Sequence, residues 1–282
     1  MGRLPVIVRS ALTGAVVLAA GTLPWALLVK LNYDHLPAIP WSVPPAALYL
    51  ALYWRYLRRQ PDARVNRLSE EVWSLALFAG FIGLIELVLL FRVINRLVHL
   101  PAQSLGGDFS RLPFPTLFLW LVMGSIVAGV VEEIAFRGFM QGPIERRHGP
   151  IIAILVTGTM FGFAHFSHPE VTLALMPFYM AVAIIYGALA YFTNSIWPGM
   201  VLHAGGDILG GLDLFTRGQS EWQTSATPEP LVWQNGPDPA FWIACGAVVL
   251  VGCAAVWAYA NLAAAARIPL PLGEGARRAG EG

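Results

Sequence analysis

Glu132-Glu133-Ile134-Ala135-Phe136-Arg137 sets two adjacent acids and an arginine inside an apolar run extending from about Thr116 to Phe139. A run of that length crosses a bilayer as a helix. A charged side chain at the bilayer centre costs about 2.5–3.5 kcal/mol on insertion scales. Two neighbouring acids in such a place call for pairing, for chemistry, or for both.

The composition around this stretch agrees with a membrane setting. The chain has 282 residues, of which 56% are hydrophobic and only 12% charged, and its mean hydropathy is +0.61. A soluble domain carries about twice that charge fraction. The net charge of +1 provides no basic field for nucleic acid. Cys245 and Cys253 stand eight residues apart in one apolar run. That is about 12 Å along a helix, too far for a disulfide, so they read as small buried residues.

Eight apolar segments can be drawn, at 10–30, 39–57, 71–91, 116–140, 150–167, 172–192, 197–215 and 240–264. Arg3 and Arg9 precede the first, as in a signal peptide, but the run continues to Leu31 and further spans follow. It reads as an uncleaved first helix. Ser69-Glu70-Glu71 opens the third segment, and Trp197-Pro198-Gly199 opens the seventh. Pro177 interrupts the sixth.

Basic residues then give an orientation. With the N-terminus cytoplasmic, one side holds Arg3, Arg9, Arg55, Arg58, Arg59, Arg64, Arg67, Arg146, Arg147, Arg267, Arg277 and Arg278. The other holds Lys30, Arg92, Arg96, Arg111 and Arg217. The expectation is an all-α polytopic bundle of about eight spans with both termini cytoplasmic, and residues 1–282 forming a single integral membrane domain. The Pro-, Ser- and Thr-rich connection 216–239 reads as a solvated loop, and 268–282 as a disordered tail.

Three spans carry polar residues that a passive helix would avoid. In the fourth, Glu133 and Arg137 are four apart and share one helix face, so they can pair. Glu132 is turned about 100° away. A desolvated carboxylate without a counter-cation suits a general base, and Glu132 is the candidate. In the fifth, Gly158, Phe161, Gly162 and His165 form one stripe whose glycines admit a close neighbour and so bring His165 against it. In the seventh, His203 and Asp207 lie four apart, with Gly206 and Gly210 repeating the small-residue spacing. That pair fits an orienting hydrogen bond, half of a metal site, or a charge-stabilising dyad. Glu86, in mid-span, either contributes to this site or pairs with a His or Arg of another helix. His168, Glu170 and Asp213 fall near span ends, where water is at hand.

In order, these residues read EExxxR, FxxxH and HxxxD over roughly 116–210. The pattern resembles the CAAX protease and bacteriocin-processing (CPBP) family of intramembrane proteases, relatives of the type II CAAX prenyl-protein endopeptidases. The resemblance implies a helical bundle with an intramembrane cavity open to the cytoplasmic side. It implies peptide-bond hydrolysis by water activated between Glu132 and His165, with Glu133 and Arg137 positioning the site. His203 and Asp207 would stabilise the oxyanion or orient the site. Many family members carry Asn where this chain has Asp207, and an Asp donates to an oxyanion only when protonated. Two chemistries stay open: a divalent metal, zinc in first place, held by Glu132, His165 and His203, or the same residues activating water with no cofactor. The implied partners are a membrane-associated peptide or protein substrate and the lipid bilayer, and the short loops and use of Arg over Lys point to a bacterial origin and so to the bacterial inner membrane. The rival functions are a catalytically idle scaffold or immunity protein, and a proton- or ion-coupled transporter. The chain lacks HExxH and Gly-x-Ser-Gly, and Ala204-Gly205-Gly206-Asp207 misses GxGD.

Overall fold

The structure, a computed structural model, describes residues 4–100, 112–165, 175–217 and 230–266. His168, Glu170, the tail 268–282 and residues 218–229 of the expected loop lie outside the described residues.

Every secondary-structure element among the described residues is helical. The first three are α1 (Val6–Asp34), α2 (Val43–Leu57) and α3 (Glu70–Leu97), with a 3-10 turn at Pro61–Ala63 before α3. Ser69 caps α3 as the sequence indicates, its Oγ accepting from the Val72 N–H. Next comes α4 (Phe114–Glu132), which passes without a break into a π-helical segment, Glu133–Gln141, and then into α5 (Gly142–His148). The remaining helices are α6 (Pro150–Ala164), α7 (Met176–Thr193), α8 (Trp197–Arg217), the short α9 (Val232–Asn235) and α10 (Pro239–Ala265). Pro177 lies in the first turn of α7 rather than breaking a span, because a helix start needs no N–H there.

Among the described residues each of the eight expected segments contains a helix, but the helices are not equivalent. Among the described residues five are long and apolar enough to cross a membrane: Val6–Asp34, Glu70–Leu97, Phe114–His148, Met176–Thr193 and Pro239–Ala265. Helices α2 and α6 have 15 residues each. That is roughly 22 Å, short of a bilayer core of about 30 Å. Helix α8 is long enough but carries His203, Asp207 and Asp213. The outer surface is apolar, as lipid contact requires: Ile243, Leu250 and Val256 on α10 are each 72% exposed.

The π segment occupies the middle of the bundle. Phe136 and Met140 join a core cluster built from α3, α6, α7 and α10, whereas Ile134 and Ala135 join a second cluster with α1, α2 and α4. Eight of its nine residues are buried. Helix α4 packs on α8 across Gly129, where an added Cβ would lie 2.9 Å from the Met200 carbonyl oxygen. That closeness brings the acids of the π junction within reach of α8.

Candidate active site

Glu133 and Arg137 form the expected pair, 3.2 Å from Glu133 Oε1 to Arg137 Nη1, with both side chains buried. The same Oε1 lies 3.0 Å from His203 Nδ1. A carboxylate only accepts, so His203 carries a hydrogen on Nδ1 and turns Nε2 the other way. Nε2 stands 3.7 Å from Glu132 Oε2 and 3.8 Å from Asp207 Oδ2. The chain thus splits its two adjacent acids between the two faces of one imidazole.

Exposure follows the same split. The Glu133 side chain is 0% exposed, whereas Glu132 and Asp207 retain 16% and 31%. The site therefore opens on the Nε2 side of His203, between Glu132 and Asp207. Glu132 Oε2 itself is buried and has no hydrogen-bond partner among the described residues.

His165 ends α6, and its Nδ1 sits 2.8 Å from the Phe161 carbonyl oxygen. A carbonyl also only accepts, so His165 shares the Nδ1–H form. Its ring stacks on Tyr179 of α7 at 4.3 Å between centroids. The close approach expected of the glycine stripe is present, since Cβ atoms on Gly158 and Gly162 would strike Met180 and Met176 of α7. Phe161 adjoins both histidines, with centroids 4.7 Å from His165 and 6.3 Å from His203. On α8, by contrast, a Cβ on Gly206 would meet nothing closer than the Tyr186 hydroxyl at 3.9 Å. Close packing of α8 is supplied by Gly129 of α4 and by its own Gly199 and Gly211, where a Cβ would strike Glu133 and Leu121.

Two contributors, Tyr186 and Gly199, carry no sequence signal as site residues. The Tyr186 ring lies nearly parallel to His203, 5.1 Å away and inclined by 12°. The Arg137 guanidinium lies 5.0 Å from the Phe161 ring centre and 5.4 Å from that of Tyr186, so two aromatic faces cover the cations of the site. Gly199 is the other: a Cβ there would fall 2.6 Å from Glu133 Oε2. These residues look like any other aromatic or glycine of an apolar helix.

Glu86 stands apart, against Gly252 at the α3–α10 contact, and its buried Oε2 has no hydrogen-bond partner among the described residues. Among the described residues no group of three or more His, Cys, Asp or Glu side chains is spaced to hold a metal ion. The set Glu132, His165 and His203 is not gathered in that way. An apolar groove between α7 and α10, lined by Ile185, Phe192 and Tyr259 among others, includes none of the site residues.

Residues 114–209 match the family model for Rce1-like proteins, the type II CAAX prenyl endopeptidases. This stretch is similar to an Rce1-like domain. It runs from the start of α4 into α8 and contains all six polar residues singled out above. The chain is also 23% identical over 184 residues to the uncharacterized protein YyaK of Bacillus subtilis (strain 168). That alignment covers 63% of this chain and 55% of YyaK, so the chain spans about half the length of this relative. No solved structure matches.

Proposed function

We propose that this protein is an intramembrane endopeptidase that hydrolyses a peptide bond of a membrane-associated peptide or protein. The observation that carries the reading is the imidazole of His203, fixed through Nδ1 by the Glu133–Arg137 pair and presenting Nε2 between Glu132 and Asp207. Glu132 is the general base. It takes a proton from water on the open side of the site, and the hydroxide adds to the substrate carbonyl carbon. The proton then passes from Glu132 to the leaving nitrogen as the C–N bond breaks, leaving a carboxylic acid and an amine.

His203 and Asp207 border the space where the oxyanion forms. Two cations, Arg137 and a protonated His203, face three carboxyls, so one proton remains to be held among the acids if the buried charge is to balance. On Asp207 that proton makes it a donor, the role an Asn would also fill. His165, whose Nδ1 is engaged by Phe161, acts through Nε2 on the water or the substrate carbonyl.

Peptide cleavage by the purified protein, with Glu132→Ala and His165→Ala beside it, tests this reading. Turnover lost in both variants supports it. Equal turnover in all three proteins, or none in wild type against broad membrane-peptide libraries, sinks it. Turnover is expected to survive a chelator, and a loss restored by zinc would add an ion to the chemistry.

A further inference from the structure

Arg64 lies in the connection between α2 and α3, some fifty residues before the Rce1-like stretch begins. It is buried at 6% exposure and adopts a left-handed backbone conformation, φ 54°, sparsely populated by non-glycine residues. All five of its N–H donors are engaged. Nε donates to Asn194 Oδ1 at 3.2 Å. Nη1 donates to the Arg137 carbonyl at 3.4 Å and to Glu145 Oε2 at 3.1 Å. Nη2 donates to Glu145 Oε1 at 3.2 Å and to the Ala190 carbonyl at 2.8 Å. Its own carbonyl accepts from the Ile196 N–H at 3.0 Å, one residue before α8 begins.

One residue thus holds the π segment bearing Glu133 and Arg137 on one side. On the other it holds the turn from which α8 carries His203 and Asp207. Neighbouring contacts reinforce the bridge. Gly138 of the π segment sits so close to the 3-10 turn that a Cβ would lie 2.8 Å from the Asp62 carbonyl oxygen. Asn66 donates to the Asn194 carbonyl at 2.6 Å and accepts, through its own carbonyl, from Ser195 Oγ at 2.9 Å.

We propose that Arg64 is a positioning residue that sets the register between the two site-bearing helices and so holds the Glu133–His203 contact. Its effect on turnover rests on the peptidase reading above, whereas its effect on the π segment does not. A lysine keeps the charge but offers three donors from a single point, and it cannot reproduce a fork reaching four acceptor groups.

The test compares wild type, Arg64→Lys, Arg64→Gln and the control Arg146→Gln, whose exposed partner is Asp62, as full-length proteins in bilayer mimics. Amide hydrogen exchange is read over 133–141 and 195–205, together with kcat and KM. In both Arg64 variants exchange over these two stretches is expected to rise about tenfold, with α10 unchanged. Their kcat is expected to fall roughly ten- to a hundredfold, as for a misplacement of about 1 Å, while KM stays within about twofold. Arg146→Gln is expected to match wild type. Wild-type exchange over 133–141 in both Arg64 variants overturns the proposal, and so does a rise spread equally over α2 and α10. Altered exchange at 133–141 with no turnover in any protein supports the bridge and counts against the peptidase reading alone.

Discussion

Glu133 shares one oxygen, Oε1, between the Arg137 guanidinium and the His203 ring, while its other oxygen faces Gly199. Removing its charge strands a fully buried arginine, and breaking a buried pair in this way costs about 3–5 kcal/mol. Glu132 has no guanidinium partner and is partly open to the surface. Glu133→Gln is therefore expected to lower the unfolding midpoint strongly, whereas Glu132→Gln leaves it near wild type and abolishes turnover. Thermal unfolding in detergent and peptide cleavage, run side by side, separate the two acids; equal effects on stability would contradict the division of roles. Gly199→Ala makes the same point from the opposite helix. Its methyl group would press on Glu133 Oε2, so Glu133 must leave His203 or α8 must move. Turnover is expected to fall by roughly 10²-fold, the scale of a displacement of about 1 Å, and cleavage kinetics on folded protein check it.

At the scale of elements, the π segment is what the sequence leaves unread. The apolar run from Thr116 and the spacing of Glu133 and Arg137 are enough to place a helix and its ion pair. Nothing in Ile134-Ala135-Phe136 announces an i→i+5 ladder, because no Gly or Pro is needed to form one. Gln141, a buried polar residue just past that run, donates to the Gly187 carbonyl at 2.9 Å. The pairing of Glu132 was equally hidden: helix periodicity fixes the face it occupies but not which of two histidines meets it. The structure puts Glu132 Oε2 opposite His203 Nε2. Helix termini, by contrast, were legible where a cap spells them out, as at Ser69. The N-cap of α10, Asp238, adds a pH handle outside the spans. Its carboxylate accepts from Arg96 at 2.8 Å and from the Phe241 N–H at 2.8 Å. The Arg96 hydrogen bond in the first place, and the Phe241 N–H in the second, hold it below the ordinary carboxylate value of 3.8. A group whose folded value is lowered stabilises the fold above its unfolded value and loses that contribution as pH falls through the folded one. Protease sensitivity of the α9–α10 junction is thus expected to rise as pH drops below about 3.8. Asp238→Asn is expected to show a flat response over the same range.

At the scale of the whole molecule, the charges collect at the bundle's two ends in a way that the helix order explains. Arg64, Glu145, Arg146 and Asp62 interlock where the α2–α3 connection, α5 and the α7–α8 turn meet. Arg96 and Asp238 pair where α3 ends and α10 begins. The first cluster lies just before α3 starts and the second where α3 ends, so the two fall at opposite ends of that helix. By the positive-inside bias, the arginine-richer first end is expected to face the cytoplasm. Cysteines substituted at Arg59 and Arg147, both exposed, report on that end, and cysteines at His35 and Asn235 report on the other. The native Cys245 and Cys253 are first replaced by alanine, since both are free thiols. In sealed right-side-out vesicles an impermeant maleimide is expected to label positions 35 and 235 at once, and positions 59 and 147 only after permeabilisation. The reverse pattern would invert the bundle, and labelling of 59 and 35 from one side would break the alternation that sets Glu132 and His203 between the two ends.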